Sequence, residues 1–303
     1  MSILLKRFLL VSDMHYTTEE TTEELKQMYP DANTSAAAGN AFGKTQKEKI
    51  EKILTDILEE HRRSPLDAVF VLGDLSIDDP DFRNLPWDFC LKFREDCMDK
   101  LPCPAYALPG NHDSYTDAHW KDLFGYGREF TVTAGDCVFL MADTFREVPA
   151  HDASGSPHNS VDPTFLRNCF AEYKGKKLFL CAHHLEPNTF GPETREMIRE
   201  NRDLICMFRG HVHKNSVIDM GNAFGGTKLI DIGGYGYEGR VVNGRYDFNY
   251  FDFAWAWGYQ ILEIYDDRIR TYHVKAADWY QAVNGDFTVP ETIEDELIFP
   301  LLQ

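Results

Sequence analysis

Short apolar runs alternate with stretches of helical spacing along this chain, the pattern of an α/β fold. Residues 6–12 (KRFLLVS) read as a buried strand. Further strands are predicted at 67–72 (DAVFVL), 105–108, 138–142, 177–181, 204–208 and 228–232. Between the first two, residues 44–61 carry Ile50, Ile53, Leu54, Ile57 and Leu58 at i, i+3, i+4, i+7 and i+8, the spacing of one helix face. Helices are also expected around 87–100 and near 163–173. A closing hairpin over 259–275, with Asp266-Asp267 at its turn, precedes an extension at 276–303. Two loops stand out by length, the polar 16–43 and the Gly- and Tyr-rich 233–258, and long ordered loops often carry function; a further loop spans 146–160. With no internal repeat and no Pro-, Gly- or Ser-rich linker, residues 1–303 read as one domain with a motif-bearing core at 8–215.

Composition narrows the function classes. The 303 residues hold 31 Lys+Arg against 49 Asp+Glu, a formal net charge of −18. That balance argues against a nucleic-acid polymer or an anionic membrane as partner. A small anionic substrate stays open, because a bound metal inverts the local field. Hydrophobic residues at 43% and aromatics at 13% supply a core and argue against disorder. No apolar run approaches the ~18 residues of a membrane span. The run at 8–11 is too short for the core of a signal peptide. Seven cysteines (Cys90, Cys97, Cys103, Cys137, Cys169, Cys181 and Cys206) form no CxxC pair, and several sit inside strand-like runs. They read as buried, reduced thiols of a cytoplasmic protein. Nothing in the pattern sets an oligomeric state.

The chemistry gathers where predicted strands end. FLLVSDMH puts Asp13 and His15 just past the first strand, two positions apart, so both side chains can face one ion. FVLGD places Asp74 after the second strand, and ALPGNHD places Asn111, His112 and Asp113 after the third. FLCAHH contributes His183 and His184, and MFRGHVH contributes His211 and His213. Open α/β sheets bind ligands at the carboxyl ends of their strands, so five such ends would converge. Two carboxylates, an amide oxygen and four imidazoles exceed one tetrahedral ion. They suit two ions of mixed N/O preference bridged by a carboxylate. Taken singly, a DxH or GNHD tetrapeptide is turn chemistry as often as a site; five in order are not.

The ordered set DMH, GD, GNHD, HH and GHVH, from Asp13 to His213, resembles the calcineurin-like metallophosphoesterase superfamily. The resemblance implies a four-layer αββα sandwich, two mixed β-sheets face to face with helices outside. It further implies that Asp13, His15, Asp74 and His213 hold one metal. Asp74 would bridge to a second metal held by Asn111, His183 and His211. The ions would be divalent transition metals such as Mn, Fe or Zn. His112 would contact phosphate and protonate the leaving group, with Asn111 and His184 as further substrate contacts. Physical logic agrees: two cations neutralise phosphate, and a bridging water becomes hydroxide near neutral pH. Many relatives carry GDxxD, whose second Asp orients the catalytic His; here Ile77 stands at that position. The supporting carboxylate is then Asp78 or Asp113. Ile77 also replaces the tyrosine of purple acid phosphatases, so a tyrosinate–iron site is not expected. HHLEP separates Pro187 from the HH pair further than is usual.

The expected activity is hydrolysis of a small phosphomonoester or phosphodiester. The alternatives are a cyclic-nucleotide or other nucleotide-type phosphodiesterase, and a non-catalytic protein-binding scaffold of the same fold. The complete ligand set and His112 weigh against the scaffold. Gly234, Gly236 and Gly239 spell GxGxxG, but no helical pattern follows, so a dinucleotide site is not expected. The aromatics of 235–257 either line a stacking pocket or fill core and edge positions. His119, His151, His158, Lys44, Arg146 and Arg240 read as surface groups.

Overall fold

The computed structural model describes residues 2–16, 18, 46–76, 88–113, 115–146, 160–213, 215–235, 240–242, 245–247, 258–276 and 294–300. Strand β1 (Leu4–Val11) leads to helix α1 (Gln46–Arg63), β2 (Ala68–Leu72), α2 (Phe89–Asp96) and β3 (Ala105–Leu108). Then come α3 (Asp117–Phe124), β4 (Phe130–Ala134), β5 (Cys137–Met141), α4 (Pro163–Glu172) and β6 (Lys177–Ala182). Helix α5 (Pro192–Glu200) precedes β7 (Leu204–Arg209), β8 (Asn215–Asp219) and β9 (Lys228–Ile232). A short ribbon, β10 (Arg240–Val242) and β11 (Arg245–Asp247), is followed by β12 (Gly258–Tyr265), β13 (Arg268–Lys275) and β14 (Glu294–Pro300).

Two six-stranded mixed sheets result, ordered β14-β13-β12-β1-β2-β3 and β4-β5-β6-β7-β9-β8. In the first, β1, β2 and β3 run parallel; in the second, β5, β6, β7 and β9 do. Strands β2 and β5 are apolar and buried throughout, and the other parallel strands are buried on both faces toward their carboxyl ends. Alternate residues face opposite ways. Phe8, Leu10, Phe70 and Leu72 meet Phe139, Met141, Phe179 and Phe208 between the sheets. Phe139 sits at the centre of this seam, its ring 4.1 Å from Phe70, 4.8 Å from Phe8 and 5.1 Å from Phe179. The other face of the first sheet (Leu9, Val11, Val69, Val71) packs on Ile50, Ile53 and Ile57 of α1 and Phe93 of α2. The other face of the second sheet (Val138, Leu140, Leu178, Leu180) packs on Leu166 of α4 and Ile198 of α5. These are the four layers expected.

Several elements differ from the sequence pattern. The helix expected over 87–100 is α2 followed by a single 3₁₀ turn, Met98–Lys100, because Cys97 (φ −125°, ψ −67°) leaves helical geometry. Strands β4 and β8 are edge strands with half-exposed faces, so neither shows an apolar run. The stretch at 276–303 contributes β14, which pairs antiparallel with β13 and extends the first sheet. The stretch 233–258 contains the β10–β11 ribbon. Most of the 16–43 and 146–160 loops, with Ile77, Asp78, His151, His158 and Lys44, lie outside the described residues. All seven cysteines are free thiols, six buried and Cys103 half-buried. No helix among the described residues is long and apolar enough to cross a membrane.

Candidate metal centre

The carboxyl ends of β1, β2 and β3 lie at one edge of the first sheet, and those of β6, β7 and β9 at one edge of the second. Bonds across the two sheets draw these edges together. His211 N–H donates to Asp13 Oδ2 at 3.0 Å, Ser12 Oγ–H to the Gly233 carbonyl at 2.9 Å, and the His183 ring bonds the Leu72 carbonyl at 2.7 Å. Within the first sheet, Asp13 N–H and His15 N–H donate to the carbonyls of Gly73 and Asp74, both at 3.0 Å. The β1 and β2 ends are thereby locked in register.

Among the described non-glycine residues, those with positive φ are Asp13 (54°), His15 (42°), Asp74 (50°), His211 (67°) and His213 (48°). All five belong to the expected ligand set. A left-handed turn costs a non-glycine residue free energy, and such strain persists where the surroundings over-determine it. Here it aims side chains from successive positions inward. Glycines make room for this. A Cβ on Gly210 would stand 2.5 Å from Ser12 Oγ and 2.8 Å from Asp13 Oδ2, and one on Gly234 would collide with the Ser12 carbonyl. The GxGxxG reading of Gly234 thus gives way to close packing beneath Asp13.

The ligand atoms converge. Three groups have ligand atoms mutually within 4.8 Å: Asp13/His15/His213, Asp74/His183/His211, and His15/Asp74/His112. His15 Nε2 lies 3.2 Å from His213 Nε2 and 3.6 Å from Asp74 Oδ2. Asp74 Oδ2 is 3.2 Å from His183 Nε2. Asn111 Oδ1 lies 3.1 Å from His183 Nε2 and 2.9 Å from His211 Nδ1. The seven expected ligands are therefore all at one place. His112 is beside them, its ring 4.8 Å from that of His15.

Both aspartates are half used. Asp74 Oδ1 accepts from His112 N–H at 2.9 Å, leaving Oδ2 toward the histidines. Asp13 Oδ2 accepts from Ser12 Oγ and His211 N–H, while the fully buried Oδ1 has no hydrogen-bond partner. That oxygen lies 3.0 Å from His213 Nε2. The bond from His183 Nδ1–H to Leu72 orients the ring, so Nε2 is the nitrogen left to face the Asn111 and Asp74 oxygens and to meet an ion. Acceptor atoms crowded on one another in a buried space, one of them orphaned, fit a site for cations.

The electrostatics follow from the same crowding. Burial pushes the Asp13 carboxyl up, but His213 and His183 overcome this and hold it below the usual range. Asp74 is likewise held down against burial, chiefly by His183 and His112. Burial alone would lower His183, yet Asp74 and Asp13 raise it to about 9. His211 is lowered to about 4 by burial and by His183, and His15 is lowered by burial and by His112. Without cations, the site keeps its proton on His183.

Asp113, fully buried, accepts from the backbone N–H groups of Leu75 (3.1 Å), Ser76 (2.9 Å) and Gly110 (3.0 Å) and from Ser76 Oγ (3.0 Å). It fastens the GD loop to the GNHD loop, and its oxygens are taken up by that clamp. The rival support for His112, Asp78, lies outside the described residues. His184 is 7% exposed, its ring 4.3 Å from that of His211 and its Nε2 3.5 Å from Glu186. It sits behind His211. Arg209 bonds Asp231 (2.6 Å), the Leu185 carbonyl (2.6 Å) and Glu186 (2.8 Å), bracing the HHLE loop against β7 and β9. His119 pairs with Asp88 at 2.9 Å and Arg146 with Glu129 at 3.0 Å, so both do structural work. Sequence reasoning missed Ser12, Arg209 and Asp231; the buried ionic partners are separated by 22 residues and carry no spacing signal.

Residues 6–215 match the model of the calcineurin-like phosphoesterase family. The chain is similar to a probable cyclic nucleotide phosphodiesterase of Pseudoalteromonas sp. (strain SM9913), 23% identical over 193 residues, or 58% of this chain and 66% of that protein. It thus spans about two thirds of the length of that relative. Among solved structures it resembles a dimetal phosphatase from Danio rerio, with TM-score 0.54 and 13% identity over 89% of this chain and 96% of that one. That likeness is one of fold.

Proposed function

Because the chain belongs to the calcineurin-like phosphoesterase family, we propose that it hydrolyses a small phosphomonoester or phosphodiester at a binuclear centre. The supporting observation is the orphaned, fully buried Asp13 Oδ1 amid six further donor residues. In this reading Asp13, His15, Asp74 and His213 hold one divalent ion, and Asp74, Asn111, His183 and His211 the other. When bound, Mn, Fe or Zn ions would neutralise phosphate charge and acidify a water for attack near neutral pH. The chain's own groups do the rest. Hydrogen bonds to Asp13 Oδ2 and Asp74 Oδ1 fix each carboxylate so that its other oxygen is aimed inward. The Asn111 oxygen faces His183 and His211, on the side the second ion would take. The His112 ring nitrogen carries a proton to the departing alkoxide oxygen, so the leaving group departs neutral. The partner is a small molecule rather than a nucleic-acid polymer, on the support of the −18 net charge. Seven free thiols support a reducing, cytoplasmic setting.

A second reading, cyclic-nucleotide hydrolysis, rests on the Pseudoalteromonas relative. Metal-reconstituted protein assayed on p-nitrophenyl phosphate, bis-p-nitrophenyl phosphate, alkyl phosphates and cyclic nucleotides separates the readings. Hydrolysis that disappears on chelation is expected. Full activity without metal would sink the binuclear mechanism, and inertness of fully loaded protein on every ester would favour the scaffold.

A further inference from the structure

Helix α1 lies on the outer face of the first sheet through Ile50, Ile53 and Ile57, yet three charged side chains share its buried face. Two have evident partners. Asp56 accepts from the Tyr235 hydroxyl at 2.5 Å and from Lys52 at 2.6 Å, and Glu60 pairs with Arg7 and accepts from the Tyr259 hydroxyl at 2.9 Å. The third is Lys49. It is 4% exposed, and among the described residues no carboxylate lies within 4.0 Å of its amine. It also sits in the first turn of its helix, where the helix dipole disfavours a cation. An apolar side chain of similar length would fill this position at lower cost, since a buried charge without a partner is strongly unfavourable.

What Lys49 does make is one hydrogen bond, from Nζ to the carbonyl of His15 at 3.0 Å. His15 is the residue of the DMH turn with φ 42°. Its N–H donates to the Asp74 carbonyl at 3.0 Å, and the next N–H, of Tyr16, donates to Leu75 at 2.8 Å. The GD loop therefore holds the turn from one side, and Lys49 holds the carbonyl from the helix layer. Without that donor the His15 peptide keeps its bonds to the GD loop but loses its hold on the helix side, which loosens the aim of the imidazole-bearing Cα–Cβ bond toward Asp13 and His213.

We propose that Lys49 is a positioning residue of the metal centre, holding the left-handed turn that aims the His15 imidazole at its neighbours. The inference rests on the reading of this cluster as a metal site. The test is titration of metal-free wild-type, Lys49→Met and Lys49→Arg proteins with Mn²⁺ and with Zn²⁺, alongside thermal unfolding with and without metal. Lys49→Met removes the donor and a buried charge. Its metal-free form should unfold at or above the wild-type temperature, while one of two ions binds 10- to 100-fold more weakly, the range for lost outer-shell support. Lys49→Arg keeps a donor and should recover most of that affinity. Two ions bound to Lys49→Met with wild-type affinity would overturn the proposal. So would a Lys49→Met chain that fails to fold while Lys49→Arg folds, since that marks a purely structural residue. Wild-type protein that takes up no metal would instead remove the reading of the site, and the proposal with it.

Discussion

Replacing Asp113 by Asn changes one carboxylate oxygen to an NH₂ and leaves the shape intact. In the wild type, Oδ1 accepts from Ser76 N–H and Cys90 Sγ–H and shares the one Ser76 hydroxyl proton with the His112 carbonyl, and Oδ2 accepts from Leu75 N–H and Gly110 N–H. The better amide orientation puts NH₂ on the Ser76 side. Ser76 Oγ can then accept from it while still donating to the His112 carbonyl at 2.9 Å, but Ser76 N–H is orphaned. One buried unpaired N–H costs ~1–3 kcal/mol, and two bonds that pass from a charged to a neutral acceptor lose about 1 kcal/mol each. Burial and the nearby Asp74 charge push the Asp113 carboxyl up, so a neutral side chain recovers part of this. A net loss of about 2–4 kcal/mol remains, or about 3–6 °C in Tm for a chain of 303 residues. The assay is urea and thermal unfolding of metal-free protein, with rates on p-nitrophenyl and alkyl phosphates measured in parallel. The rates should fall by similar factors, because a loosened GNHD loop displaces Asn111 and His112 together. A stability loss under about 1 kcal/mol, with activity lost on alkyl esters alone, would refute the clamp and make Asp113 the partner of His112.

Asp74→Asn should lower bound metal below one ion per chain, since Asp74 Oδ2 faces His15 and His183 alike; metal analysis showing two ions would contradict its bridging place. His112→Asn should keep its metal but lose far more activity on alkyl phosphates, ~10²–10⁴-fold, than on p-nitrophenyl esters, whose leaving group departs readily as an anion. An equal loss on both would assign His112 to phosphate positioning instead. Metal binding should depend on pH: below about 9, His183 holds a proton that an ion must displace. Affinity should therefore climb about tenfold per pH unit from 7 toward 9 and level off above; a flat profile in calorimetric titrations across that range would refute displacement of a proton from His183.

Strands buried on both faces were legible because burial there demands apolar residues in succession, as in AVFVL of β2 and CVFLM of β5. Elements with one wet face were not. The β8 strand NSVID has a single buried residue, Asn215, and α5 buries only Thr194 and Ile198. Helix α3 did carry a signal, Thr116 capping its start and Gly125 (φ 78°) closing its end, but its eight residues give too little periodicity to stand out. At the site, i, i+2 spacing and strand ends sufficed to collect Asp13, His15, His211 and His213. The spacing said nothing of which oxygen of each aspartate is bonded, because backbone N–H groups have no sequence signature. Lys49 was hidden for another reason: 34 residues from His15, on an amphipathic helix, a lysine reads as solvated charge.

The donors divide four to three between the two sheets. Asp13, His15, Asp74 and Asn111 belong to the β1–β3 end of one sheet, and His183, His211 and His213 to the β6–β7 end of the other. A nascent chain that has made only β1, β2 and β3 presents carboxylates, an amide and one imidazole, a hard, oxygen-rich half-site with little hold on a transition metal. The imidazoles arrive only after some two hundred residues and the docking of the seam around Phe139. On the proposed ligand set, metal acquisition would thus be a late event that reads out whole-chain assembly. An intermediate with undocked sheets cannot be trapped by the ion, because no tight site yet exists to trap it. The long sequence separations that slow the folding of such a topology also protect it from premature metalation.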